Sequence, residues 1–370
     1  MLGLLSAAVS LGTIVPASFA AGNSNGAVFV MTNAADVNEV IAFARNANGK
    51  LQERARYNTE GRGSGGNGDP LQSQGSLSFS PDGTELYAVN AGSGTISTFH
   101  VRNNALIFAG QTPSGGSEPV AVAQLGNLVY VLNAGAAGSL VGFHQDGNGR
   151  LQTIANSTTF LSAKYTGGAS VSFSPNGRFL AVVERAANTL SIFQVKADGT
   201  LGPIHSMPSP GAGAFSGRFA LDGKLLVSET GPANATNASA ISSYTVNNDG
   251  SLSPISLSVP TYGNADCWNA TTPDGKYVYV DNAASGTISG FAVGKGGTLT
   301  AIGDTIVATL PDGSTNLDLT VTPDGKYLYT LNAGTGSIGI FSIDSDGSLT
   351  NIGQQEGLTP NASFNGIAAQ

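Results

Sequence analysis

The side chains best equipped for chemistry in this chain are few. Glu184 and Arg185 are adjacent, Glu229 and Arg218 lie one segment later, and Asp266-Cys267-Trp268 follow one segment after that. Glutamates beside arginines suit acid–base work on a small carboxylate-bearing substrate: Glu184 and Glu229 would move the proton, and Arg185 and Arg218 would fork onto the carboxylate. Asp266 and Trp268 would complete the pocket, the indole as its floor. Asn90, Asn133, Asn282 and Asn332 stand at the same place in related segments and would offer amide contacts; their other reading is a turn residue bonding its own backbone. His100, His144 and His205 fall elsewhere in the pattern, so neither a Ser-His-Asp triad nor a histidine metal site is expected. No metal or cofactor is expected, with an oxygen-only Ca²⁺ site from Glu184, Glu229 and Asp266 as the alternative. Cys267 has no histidine near it and reads as a small buried hydrophobe.

A repeat positions these residues. Segments such as SFSPDGTELYAVNAGSGTISTFHV (78–101) and TVTPDGKYLYTLNAGTGSIGIFSI (320–343) recur seven times, once split between the two ends of the chain. Repeats of about 40–50 residues holding four short strands predict an all-β fold, a seven-bladed β-propeller of four-stranded antiparallel blades. Strand A is short and apolar. A Ser/Thr-Pro-Asp/Asn-Gly turn follows, with proline pre-setting φ and glycine supplying positive φ. Strand B is aromatic and β-branched and ends at Asn or Glu, strand C alternates, and a Gly-containing hairpin leads to strand D. The first copy (Ala27–Asn33) lacks a strand A, and Asn365–Ala369 resembles the missing piece, so the C-terminal strand is expected to close the first blade. Strand A lines the central channel, which gathers the ends of strands B and the starts of strands A at one mouth. The Gly-rich loop from Tyr57 to Gln74 and the insertion from Gly231 to Ser239 would lie over it.

Composition sets the setting. Charged residues make up 11% of the 370, and the net charge is −8. With no basic stripe, nucleic acid and anionic membranes are excluded as partners. Residues 1–20 carry an apolar run and a small-x-small site, so a secretory signal peptide cleaved after Ala20 is expected, leaving one domain over 21–370. No segment reads as membrane-spanning. The sequons at Asn156, Asn234, Asn237 and Asn361 fit a secreted, extracellular or cell-wall glycoprotein, while Asn269 falls in an inner strand and is expected to stay bare. The single Cys267 excludes an intramolecular disulfide. A monomer is expected.

The SPDG-x-x-LY-x-x-N … T-I-S-x-F … DG-x-L repeat, from Ala27 to Gln370, resembles the lactonase family of seven-bladed propellers. That family includes bacterial 6-phosphogluconolactonases and fungal carboxymuconate-lactonizing enzymes. Val183-Glu184-Arg185, Leu226–Thr230 and Asp266-Cys267-Trp268 look like a secreted, 3-carboxymuconate cyclase-like branch. The resemblance implies cofactor-free opening or closing of a lactone on a small carboxylate or lactone, with Glu184, Arg185, Arg218 and Glu229 in the acid–base and clamp roles. It departs from the family at one point: no histidine falls at the mouth. The competing expectation is a secreted glycoprotein that binds a small ligand, glycan or protein at the same mouth without turnover.

Overall fold

Six of the seven sheets run outward in chain order. In the computed structural model, which describes residues 26–135 and 137–370, blades two to seven each form one antiparallel sheet whose strands A to D follow one another. The expected leader, residues 1–20, lies outside the described residues. No described residue is helical, and no helix long and apolar enough to cross a membrane is present among them. Blade three departs slightly: its outer edge is broken into Leu151–Thr153 and Thr159–Phe160, both paired with strand C (Ser139–Gln145). Asn156 stands exposed in the break with φ +60°.

Blade one confirms the split copy. The terminal strand Ile367–Ala369 pairs with Gly26–Met31 through three residues, Val28, Phe29 and Val30. Four further main-chain bonds extend the seam, from Ala27 and Gln370 at one end to Met31, Asn365 and Gly366 at the other. Ile367, Phe364 and Ala369 are buried with Val28, Val30, Tyr329 and Leu331, so this strand also glues blade seven to blade one. Burial of side chains of this size stabilises by about 1.5–3 kcal/mol each.

The repeated turns and tyrosines account for how neighbouring blades are held. In the proline turns the serine or threonine hydroxyl bonds the Asp or Asn two residues on, as Ser80 does with Asp82 and Thr322 with Asp324. The second tyrosine of strand B donates to a carbonyl in the next blade's C–D hairpin: Tyr279 to Gly347 at 2.8 Å, Tyr329 to Gly49 at 2.7 Å, and Tyr130 to Gly199. The Asp-Gly and Asn-Gly hairpins thus serve as inter-blade acceptors.

Strands A of blades three to seven share one irregularity. Each carries a register shift near its start, between Pro119 and Ala121, Gly168 and Ser170, Ala214 and Gly217, Asp266 and Trp268, and Asn316 and Leu319. Such bulges re-aim side chains at the rim of a sheet. In blade seven Asp318 sits in the bulge at φ +98°, a strained conformation for a residue other than glycine.

Candidate active site

The channel is crossed by the end of the Gly-rich loop. Gln74 donates from its main-chain nitrogen to Ala169 of blade four at 2.8 Å, and its side-chain nitrogen donates to the Asn269 carbonyl of blade six and to Asp318 of blade seven, both at 3.0 Å. Its side-chain oxygen accepts from Ser216 of blade five. Ser73 donates to the Val120 carbonyl of blade three and accepts from the Trp268 indole, each at 2.9 Å. A single glutamine therefore spans four inner strands and divides the channel into an upper end, at the starts of strands A, and a lower end beyond it.

The upper end opens into a cleft of 670 Å³ between blades six and seven, lined by Asp69, Cys267, Trp268, Leu310, Thr315 and Leu317 among others. Trp268 is buried, edge-on to Phe215 at 5.3 Å between centroids, and forms the floor. Asp69 comes from the loop. Buried Leu71 anchors that loop in the core, and Asn365 of the closing strand donates to the Asp69 carboxylate at 3.0 Å while accepting from Ser76 at 2.8 Å. The Gln72 amide donates to the same oxygen at 2.9 Å. Loss of water around the carboxyl pushes Asp69 up to about 7, an effect partly offset by those bonds and by the charge of Arg185. The half-exposed Arg185 acts electrostatically on both Asp69 and Cys267. Burial and the neighbouring Asp69, Asp266 and Asp281 carboxyls push the Cys267 thiol far up, which removes it as a nucleophile at neutral pH.

Two further carboxyls stand behind the cleft. Asp266 and Asp281 are fully buried; Ser228 and the Glu229 main chain lie against Asp266, and the Asp318 main chain lies against Asp281, all at poor hydrogen-bond geometry. Burial raises both well above the usual carboxylate range, with Asp318 and Asp266 adding to the push on Asp281. Asp318 itself rises to about 6 through burial, held down in part by Arg218 and by Gln74. The described residues hold no cluster of His, Cys, Asp or Glu arranged to bind a metal ion.

The two glutamates end strands B opposite the starts of strands A, and their carboxyls are bound inside their own blades. Glu184 is fully buried and accepts from Ser191 on strand C of its blade and from both the hydroxyl and the amide of Ser162. Glu229, 1% exposed, accepts from Ser242 on strand C and Ser258 on strand D at 2.7 and 2.8 Å. The asparagines of other blades also bond within their blades, some as donors and one as an acceptor. Asn90 donates to Ser97 and Asn282 to Ser289, each at 2.8 Å, Asn332 accepts from Thr330, and Asn133 donates to the Ser114 carbonyl. All four are fully buried. A serine hydroxyl can donate or accept, so Glu and Asn can fill one bracing position within the blades. Arg218 is apart from the mouth. It lies four residues beyond Ala214, about 13 Å along its strand, on the far side of Gln74. Of the expected site residues Trp268 lines the upper cleft; Asp266 is fully buried behind it, Arg185 acts on it only through its charge, and the loop adds Asp69. The loop carrying Asp69 has no counterpart in the other blades; the sign available in the sequence was an acidic residue fixed by Pro70 and Leu71 within a run of Gly, Ser and Asn.

A seven-bladed propeller with a carboxylate-lined mouth matches the family model described as lactonase, seven-bladed β-propeller, over residues 23–159, 137–261 and 240–361, and the chain belongs to that family. Among solved structures, a Pseudomonas aeruginosa periplasmic gluconolactonase shares 17% identity over 93% of this chain and 98% of its own, with a TM-score of 0.68. A Bacteroides uniformis protein given as a candidate 6-phosphogluconolactonase shares 18% identity over 94% of this chain and all of its own, with a TM-score of 0.70. A Lactobacillus plantarum protein shares 16% over 94% and 99%, with a TM-score of 0.72. At this identity the likeness is one of fold. No curated protein sequence matches the chain.

Proposed function

We propose that the protein hydrolyses a small lactone in the upper cleft, with Asp69 as general base and Arg185 as the charge that meets the developing oxyanion. The observation that carries this reading is a carboxyl at about 7, on the wall of a 670 Å³ cleft, within reach of an arginine's field. A base poised near the working pH is the most effective one. Asp69 takes a proton from water, and the oxygen adds to the lactone carbonyl. The negative charge passes to the carbonyl oxygen, where Arg185 stabilises it. As the ring C–O bond breaks, Asp69 returns the proton to the leaving alkoxide, giving a hydroxy acid. The Trp268 ring floors the cleft, and Asp266 sets the field behind it. Membership of the lactonase family supports the substrate class. Closing a carboxymuconate-type lactone is a different reaction, in which a substrate carboxylate oxygen adds to one alkene carbon and a proton is delivered to the other; protonated Asp69 would supply that proton and regain it from solvent, so muconates belong in the same assay.

Secretion fits this reading. A P. aeruginosa relative by fold is periplasmic, and Asn156, Asn234, Asn237 and Asn361 are exposed at turns with positive φ, open to glycans, whereas Asn269 is buried. Proton release on a panel of aldonolactones and muconolactones tests the assignment. Replacing Asp69 by Asn is expected to lower kcat/KM by about 10²–10⁴-fold with KM little changed. The active form is the carboxylate, so wild-type kcat/KM is expected to fall tenfold per unit as pH drops below about 7 and to level off above it. An Asp69→Asn enzyme with wild-type turnover would remove Asp69 from the reaction. Absence of turnover on the whole panel would leave the cleft as a binding site.

A further inference from the structure

We propose that the lower end of the channel is a second, separate site, which binds a small monocarboxylate with an aromatic or otherwise apolar body through Arg218. The site does not depend on the lactone reading of the upper cleft. It is a cavity of 380 Å³ between Gln74 and the proline turns of the opposite face, with Pro81, Pro175 and Leu221 at its rim. Its size suits a single ring with one substituent.

Arg218 is the only charged residue in the lining. It is the residue by which blade five differs from its neighbours: the equivalent strand-A positions hold Ser78, Ser172, Ala270 and Thr320. Its side chain is surrounded by protein yet open to channel solvent, and no hydrogen bond or ion pair ties it among the described residues. Asp318 is the one charge that acts on it, and that carboxyl is already bound by Gln74, its own strand and the Ile367 amide. The protein packed around it pushes the guanidinium down from its usual value, while Asp318 opposes that. The hydroxyl of Ser172 is committed to the Gly217 carbonyl at 3.0 Å, and both ends of the Gln74 amide are committed too. The charged donors in the lining are therefore the forked N–H groups of one arginine, a match for one carboxylate. A phosphate dianion would leave half its charge uncompensated, because neither Lys nor a second Arg lines the cavity.

The walls specify the rest of the ligand. Phe79, Phe173 and Phe219 are half-buried and line the cavity, and Leu221 at its rim is 63% exposed. Phe79 and Phe173 are each held edge-on by a core aromatic, Phe29 and Tyr130, at 5.7 Å. Their free edges are thus rigid, and a ring seated among them would cover apolar surface that now meets water.

Calorimetric titration of the full chain with benzoate, benzyl alcohol and inorganic phosphate tests this. Benzoate is expected to bind with Kd in about the millimolar range, and benzyl alcohol and phosphate at least about tenfold more weakly. Arg218→Gln is expected to weaken benzoate at least about tenfold, and Arg218→Lys to give an intermediate loss because the fork is gone. Asp69→Asn, across Gln74, is expected to leave benzoate affinity within about twofold. The comparison of benzoate with benzyl alcohol is made on the unaltered protein, so it holds even where a variant does not fold. Equal binding of the alcohol, equal binding of phosphate, no benzoate binding, or unchanged affinity in Arg218→Gln overturns the proposal.

Discussion

The two ends of the channel are built from the same seven blades and are chemically opposite. Above Gln74 carboxyls gather, Asp69, Asp266 and Asp281, with one arginine at their edge. Below it a lone arginine stands among phenyl rings, and no carboxyl lines the cavity. The difference lies in where each end draws its side chains. The upper cleft takes its base from a loop that lies outside the repeat, and the terminal strand orients that base through Asn365. The lower cavity arises inside the repeat, from one substitution on a strand whose counterparts are small. A propeller therefore acquires an acid–base site by adding chain at its mouth, and an anion site by altering one inner-strand residue.

The largest change to this contrast should come from the closing strand. Deleting Asn365–Gln370 removes the three-residue pairing and the flanking main-chain bonds of blade one, takes the buried Ile367 and Ala369 out of the core, and frees Asp69 from Asn365. The melting temperature is expected to fall by about 10 °C or more, since each kcal/mol is worth about 2–4 °C in a chain of this size or somewhat smaller. Lactone turnover should be lost along with it. A truncated protein that melts with the wild type would mean that the ring is closed by something other than this strand.

Gln74 comes next, since it is the wall between the ends. Gln74→Ala leaves the Asn269 carbonyl, Asp318 and the Ser216 hydroxyl without their partner, at a cost of about 2–4 kcal/mol. In the wild type, saturating benzoate is expected to leave the KM for lactone unchanged. In Gln74→Ala the two cavities join, and benzoate should become a competitive inhibitor. Inhibition that is already competitive in the wild type would show that the two ends are one site.

The fold was legible in the residues because a repeat averages over its own exceptions. Seven copies of the Pro-Asp/Asn-Gly turn, the tyrosine strand and the hairpin agree on register, and the orphan Ala27–Asn33 strand points to the terminal strand that closes it. The site was legible only in part. Arg185, Asp266 and Trp268 stand at positions the repeat carries to the mouth. Asp69 comes from a segment with no second copy to align, so its place over the cleft depends on Leu71 and Asn365, contacts between residues far apart in the chain. Glu184 and Glu229 show the converse. They differ from asparagine in charge but stand in its place, and the serine partners that make the exchange possible lie on other strands.

That exchange gives the smallest expected effect. Glu184 takes its bonds from Ser191 and Ser162, and a glutamine has the same shape, keeps one acceptor oxygen, and can donate to hydroxyls free to rotate. Removing a buried charge offsets part of any loss in bonding. Glu184→Gln is therefore expected to shift the melting temperature by no more than about 2–4 °C, or about 1 kcal/mol, and kcat/KM by less than about threefold. Glu184→Ala should cost more, because the Ser162 amide and two hydroxyls then face an empty space. A loss of turnover with Glu184→Gln as deep as that with Asp69→Asn would move the chemistry from the loop back to the blades, and the upper end would then differ from the lower by its brace rather than by its added chain.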